Sequence, residues 1–254
     1  MNRIVVIIIV YFFPVFLFAQ KDTVQSKVII ELSEEQYSSI RQQVEHEFYE
    51  AKKKKDWANF SRYEQENMLV KRSPAIVFIG NSITENWYKK HPSFFDNNNF
   101  LGRGISGQTS AEILVRFQAD VIQLKPKKVV INMGINDIAC NNGYISMANI
   151  LLNIKSMCEL SRYNGIEPIL TTTLPSNNVW RTDKNGTVYT PAEDIKHLNE
   201  MIKQYACDND IMFIDYYSKM EKNGGLPKEL AEDGTHPTLQ GYEIMEKIIL
   251  NSIK

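Results

Sequence analysis

Four short apolar runs, each followed by a polar turn and then by helical periodicity, constrain this chain more than any other feature. They are "AIVFIG" (75–80), "KVVINM" (128–133), "EPILTTT" (167–173) and "DIMFID" (210–215). Continuous rather than alternating apolar character fits strands covered on both faces, the condition of a parallel sheet. Between them, Ile113, Leu114, Phe117, Val121 and Leu124 recur at helical spacing, and residues 144–163, 192–207 and 238–253 behave alike. The alternation predicts an α/β fold: a doubly wound, flavodoxin-like parallel sheet sandwiched by helices. The chain has 254 residues, 43% of them hydrophobic. That size buries roughly 70–75% of the unfolded surface without disulfide staples.

The first 72 residues read differently. One Arg precedes an apolar run from Ile4 to Ala19, interrupted by Pro14 and followed by polar "QKDT". This pattern predicts a signal peptide cut after Ala19, with an uncleaved anchor as the alternative. Secreted or periplasmic location follows, without stable membrane insertion once the leader is removed. No Cys follows the run, so no lipid anchor is expected there. Residues 20–72 form a helical lead-in. Ser33 and Gln36 make a capping box, a polar helix runs to about Lys54, and a second covers Trp57–Leu69 before "KRSP" breaks it. Residues 73–254 are the α/β domain. The run "KKKK" (52–55) reads as a solvated helix face, and a net charge of -1 gives no reason to expect nucleic acid. Cys140, Cys158 and Cys207 form no C-x-x-C pair and allow one disulfide at most.

In open α/β sheets, sites form beyond the carboxyl ends of the strands. Four polar motifs fall on or near that edge: "GNSIT", "GRGISG", "GINDI" and "DGTHP". Gly102, Gly104 and Gly107 fit the dinucleotide fingerprint G-x-G-x-x-G. The rest of that pattern is missing, because "FFDNNNFL" before it is a poor strand and Val121–Asn136 holds no acidic residue for a ribose. Nucleophilic catalysis needs a nucleophile, a base and an orienting acid. Of four histidines, His46 sits on a polar helix, His91 in a surface loop and His197 in a helical pattern. His236 alone has an acid, Asp233, three residues before it, and Pro237 keeps His236 out of helical geometry. Ser82 follows the first strand at a helix start, where its backbone N–H faces outward. Taken singly, Ser82 reads as a helix cap, and His236 as a loop residue bonded to a local Asp.

Together, "GNSIT", "GISGQT", "GINDI" and "DGTHP" resemble the SGNH hydrolases, also called GDSL-like lipases or esterases. The likeness runs from about Ala75 to the C-terminus, and "DWANFSRYEQEN" upstream resembles the lead-in of exported bacterial members. The resemblance implies Ser82 as nucleophile, His236 as base and Asp233 as its orienting acid. It implies an oxyanion hole from the Ser82 and Gly107 N–H groups and the Asn136 side-chain amide. Gly102 and Gly104 are expected to serve the turn. One position departs from the family pattern: Asn81 stands where Asp usually precedes the serine.

The resemblance also implies a serine esterase working through an acyl-enzyme, with short acyl groups on carbohydrate as the favoured substrate. A lysophospholipase or thioesterase, and a non-catalytic glycan-binding protein on the same fold, are the alternatives. Trp180, in "LPSNNVWRT" (174–182), is the candidate sugar- or acyl-packing residue, with simple loop packing as the alternative. No H-E-x-x-H or Asp-rich loop suggests a metal, and the chemistry requires no cofactor.

Overall fold

The computed structural model describes residues 3–11, 25–53, 56–176 and 191–253. The chain divides into two compact units, Met1–Asp56 and Trp57–Lys254.

In the first unit, β1 (Arg3–Tyr11) pairs antiparallel with β2 (Gln25–Ser33), and α1 (Glu34–Lys53) follows. The first half of the apolar run is thus a strand, in keeping with its β-branched Val5–Val10 sequence. The expected cleavage point after Ala19 lies outside the described residues. At the entry to α1, the Ser33 N–H donates to Gln36 Oε1 at 2.9 Å and the Gln36 N–H to Ser33 Oγ at 3.2 Å. This is the capping box read from the sequence.

The second unit begins with α2 (Ser61–Met68) and then winds an α/β sheet. Its strands are β3 (Ile76–Gly80), β4 (Phe100–Gly104), β5 (Lys128–Asn132), β6 (Glu167–Thr171) and β7 (Met212–Ile214). All pairings are parallel, in the order β4-β3-β5-β6-β7. Counted within this sheet, the order is 2-1-3-4-5, the flavodoxin-like winding, whose switch point lies between β3 and β5. The crossing helices are α3 (Ser82–Lys90), α4 (Pro92–Asn98), α5 (Ser110–Asp120), α6 (Ile135–Ile138), α7 (Met147–Tyr163), α8 (Ala192–Asp208), α9 (Tyr217–Met220) and α10 (Leu239–Ser252).

Period-two alternation explains why the strands read as unbroken apolar runs. Val77, Ile79, Val129, Ile131 and Leu170 pack on one face with Ile113, Phe117, Ile150, Ile154 and Leu198 of α5, α7 and α8. Ile76, Phe78, Val130, Ile169 and Ile214 pack on the other with Trp87, Phe94, Phe95, Tyr242 and Ile249 of α3, α4 and α10. Within this second layer, Trp87 stacks on Phe94 (centroids 5.3 Å apart) and on Tyr242 (5.6 Å). Its indole N–H donates to Glu246 Oε1 at 2.9 Å. The Tyr242 hydroxyl donates to the Ile83 carbonyl at 2.8 Å. Helix α10 is therefore clamped to the first turn of α3, beside Ser82.

In the parallel sheet, one strand was not visible in the sequence. Phe100–Gly104 is the edge strand β4, so Gly102 and Gly104 lie in a strand and not in a turn. Close packing is the reason for both. A Cβ on Gly104 would lie 2.2 Å from the Glu85 nitrogen and 2.5 Å from the Asn81 carbonyl oxygen. One on Gly102 would meet Tyr88 Cβ at 3.0 Å. The glycines that mimic a cofactor loop let α3 settle onto the sheet.

Candidate active site

Ser82 is the first residue of α3, directly after β3. It does not cap the helix. Asn81 does, its Oδ1 accepting the Ile83 N–H at 3.1 Å. Asn81 is fully buried, and its Nδ2 has no hydrogen-bond partner among the described residues. The amide thus keeps the capping bond open to an aspartate at this position while leaving one donor unmatched. Ser82, as N1, presents one of the backbone donors that a helix leaves without an intrahelical acceptor.

His236 arrives on the loop before α10. Ala231 bridges Pro237 antiparallel, the Glu232 N–H donates to the His236 carbonyl at 2.8 Å, and Gly234 turns the chain at φ +79°. Thr238 caps α10, so Pro237 precedes the helix rather than opening its first turn. Asp233 is held from three sides: its Oδ1 accepts the N–H groups of Thr235 (3.0 Å) and His236 (2.8 Å), and its Oδ2 bonds His236 Nδ1 at 2.7 Å. Burial works to raise the Asp233 pKa, but these bonds outweigh it and hold the carboxyl below its ordinary range. With Nδ1 committed to Asp233, Nε2 faces Ser82 Oγ at 2.8 Å. Ser82, His236 and Asp233 form one hydrogen-bonded line.

Among the described residues, His236 is the histidine bonded to Ser82. His46 and His197 are exposed on α1 and α8. His91 is not a simple surface-loop residue, since it joins α3 to α4 with Nδ1 2.8 Å from the buried Glu246.

Gly107 and Asn136 stand on neighbouring turns. Gly107 has φ +82°, the left-handed region that favours glycine, and nothing lies within 4 Å of where a Cβ would be. The Asn136 amide donates to the carbonyl of Gln108, next to Gly107, at 2.9 Å. An amide carries two N–H donors, so one remains for another acceptor. Gly134, just before α6, has φ +113°, and a Cβ there would collide with Leu198 Cδ2 at 2.5 Å. Trp180 lies outside the described residues.

Sequence reading missed the groups that hold this geometry. Buried Arg116 donates to Gln108 Oε1 (2.6 Å), Asp120 Oδ2 (2.8 Å) and the Gly80 carbonyl (2.9 Å). It joins the end of β3 to the Gly107 turn. Gln108 Nε2 in turn donates to the Ala58 carbonyl at 2.8 Å. Buried Asp137 accepts the N–H of Ser110 at 3.0 Å on both oxygens and its hydroxyl at 2.5 Å. It pins the start of α5 to the turn that carries Asn136. Burial pushes its carboxyl up to about 6, against the lowering effect of the Ser110 bonds. In the sequence Arg116 was one polar residue of an amphipathic stretch; Asp120 is its i+4 neighbour, but Gln108 and Gly80 lie too far along the chain to suggest a contact. All three cysteines are free, with Cys158 buried and Cys140 and Cys207 exposed.

The family described as GDSL-like Lipase/Acylhydrolase matches residues 78–244. A solved structure from Bacteroides fragilis, described as a candidate acylhydrolase, is 45% identical, covers 79% of this chain and 98% of that one, and has a TM-score of 0.73. A GDSL-like lipase of Bacteroides thetaiotaomicron is 43% identical, covering 78% and 98%, with a TM-score of 0.71. An uncharacterized lipoprotein of Bacillus subtilis is 39% identical over 82 residues, 31% of this chain and 34% of that protein. The chain spans little more than a third of the length of the curated relatives it matches.

Proposed function

The chain belongs to the GDSL-like lipase/acylhydrolase family, and from that premise we propose that it is an ester hydrolase working through Ser82 on short acyl groups, acetyl foremost, carried by carbohydrate. The observation that carries the reading is the line Ser82 Oγ–His236 Nε2 (2.8 Å) and His236 Nδ1–Asp233 Oδ2 (2.7 Å).

Ser82 Oγ attacks the ester carbonyl while its proton passes to His236 Nε2. Asp233 keeps the Nδ1 proton in place and stabilises the imidazolium that forms. The carbonyl oxygen becomes an oxyanion, met by the N–H groups of Ser82 and Gly107 and the second amide hydrogen of Asn136. Collapse breaks the bond to the leaving alkoxide, which takes the proton from His236. Water then attacks the acyl-enzyme, giving its proton to Nε2, and deacylation returns that proton to Ser82.

The surroundings support a polar alcohol. Ser106 beside Gly107, and Asn141 and Asn142 after the turn of Asn136, are exposed and polar. Export to the periplasm or the outside is part of the proposal. It rests on the apolar run from Ile4 to Ala19 and on the similarity to the B. subtilis lipoprotein. Among the described residues, no helix is long and apolar enough to cross a membrane. The ester is the one partner the reading requires.

Hydrolysis of p-nitrophenyl acetate, butyrate and octanoate by the purified protein and by Ser82→Ala tests it. Fastest cleavage of acetate, lost in the variant, is expected. Preference for octanoate would transfer the reading to lipid esters, and equal rates in the variant would remove Ser82 as nucleophile.

A further inference from the structure

Directly after the turn of Asn136, the chain builds a short, tightly bonded loop whose last residue makes no hydrogen bond or ring contact among the described residues. The Asn141 N–H donates to the Asn136 carbonyl at 3.0 Å, and the Cys140 N–H to the Asp137 carbonyl at 3.0 Å. The Gly143 N–H closes on the Cys140 carbonyl at 3.1 Å. Cys140 and Gly143 both take positive φ, +54° and +89°. The Asn141 side-chain amide reaches the Gly107 carbonyl at 3.4 Å. Asn141 thus touches both turns that carry the proposed oxyanion donors, through its backbone on one side and its side chain on the other.

Tyr144 comes next, and its side chain is thrown into solvent, 86% exposed. Among the described residues it makes no hydrogen bond and no ring contact. An isolated exposed tyrosine is ordinary. This one follows a loop fixed by three backbone hydrogen bonds and two positive-φ residues, and Asn141 ties that loop to the Gly107 turn. Two carboxamides, Asn141 and Asn142, precede it and are exposed as well.

We propose that Tyr144, with the amides of Asn141 and Asn142, forms a subsite for the pyranose ring that bears the ester. The proposal rests on the Ser82–His236–Asp233 reading above. Its chemistry is complementary. The face of an aromatic ring is electron-rich and attracts the weakly positive C–H edge of a partner. A pyranose presents such C–H groups on its faces and hydroxyls around its rim. A ring flanked by amides, each with both a donor and an acceptor, matches both features. A fatty acyl chain matches neither, because it needs a continuous apolar surface. Tyr144 therefore selects the alcohol half of the substrate, while Gly107 and Asn136 act on the acyl half. It is a binding residue and takes no part in bond making.

The test compares two acetyl esters: a peracetylated methyl pyranoside, of the xylo and gluco series in parallel, and ethyl acetate, which brings the same acyl group without a ring. The readout is the ratio of kcat/KM for the sugar ester to that for ethyl acetate. In Tyr144→Ala this ratio is expected to fall about five- to tenfold, the range of one aromatic contact, with the loss mainly in KM. Tyr144→Phe, which keeps the ring, is expected to retain the ratio. An unchanged ratio in Tyr144→Ala overturns the subsite and leaves the serine-esterase reading intact. Cleavage of ethyl acetate but of neither sugar ester overturns the subsite together with the carbohydrate substrate. Failure of the unaltered protein on every ester overturns the functional reading itself, and the subsite with it.

Discussion

Replacing Asp137 with asparagine isolates one buried charge and its effect on stability. Asp137 is 1% exposed and, among the described residues, its side chain bonds Ser110, whose hydroxyl also accepts the Asn153 amide at 2.9 Å. Burial raises the carboxyl from 3.8 to about 6. A shift of about two units corresponds to on the order of 3 kcal/mol. The sign follows from proton counting. Between about pH 4 and 6 the folded protein keeps this proton while the unfolded chain has lost it, so stability falls as pH rises through that window. The asparagine variant carries no such term. Urea unfolding of both proteins at several pH values from about 4.5 to 7.5 reads the difference directly. The stability of the unaltered protein relative to the variant is expected to drop by about 2 kcal/mol over that range, the share of the window above pH 4.5. Subtracting one protein from the other removes carboxyls with the opposite slope, such as Asp233, whose pKa is depressed. A difference that stays constant with pH would refute the reasoning and mean that the Ser110 bonds compensate fully for burial.

Other perturbations probe the packing and the oxyanion donors. Gly104→Ala places a methyl group 2.2 Å from the Glu85 nitrogen. The obstacle is backbone that cannot swing aside, so a loss of about 1–3 kcal/mol or more is expected, with lower activity as the start of α3 shifts; an unchanged urea midpoint would contradict the packing argument. Asn136→Ala is expected to lower kcat about 10²–10³-fold with little change in KM, and a kcat within threefold of the unaltered protein's (roughly 0.65 kcal/mol) would remove Asn136 from the oxyanion hole. Burial pushes the Cys158 thiol up to about 12. Iodoacetamide is therefore expected to label Cys140 and Cys207 in the folded protein and Cys158 only in denaturant, as peptide mass spectrometry would show; labelling of Cys158 in the folded state would contradict its burial.

Burial decides how much of this was legible in the sequence. Strands β3, β5, β6 and β7 announced themselves because apolar residues face helices on both sides, so each run is continuous. Strand β4 stayed hidden because two of its five positions are glycines, required where α3 lies against it. Those glycines even imitated a phosphate loop. The motifs holding Ser82 and His236 stood out because the residue types are specific and the spacing is local, as between Asp233 and His236. Arg116, Gln108 and Asp137 did not. Their partners, Gly80, Ala58 and Ser110, are distant in sequence, and nothing local marks a polar residue as buried. Asn81 was visible as a departure from the family pattern, but its role as the cap of α3 became clear only in three dimensions.

The central claim is that Ser82 forms a covalent acyl-enzyme, and rapid mixing with p-nitrophenyl acetate tests it most directly. Acid quenching in the first turnover, followed by peptide mass spectrometry, is expected to find one acetyl group on the peptide carrying Ser82 and none in Ser82→Ala or after full turnover. An unmodified Ser82 peptide alongside a stoichiometric burst of p-nitrophenolate, or acetyl carried on a different residue, would contradict the account.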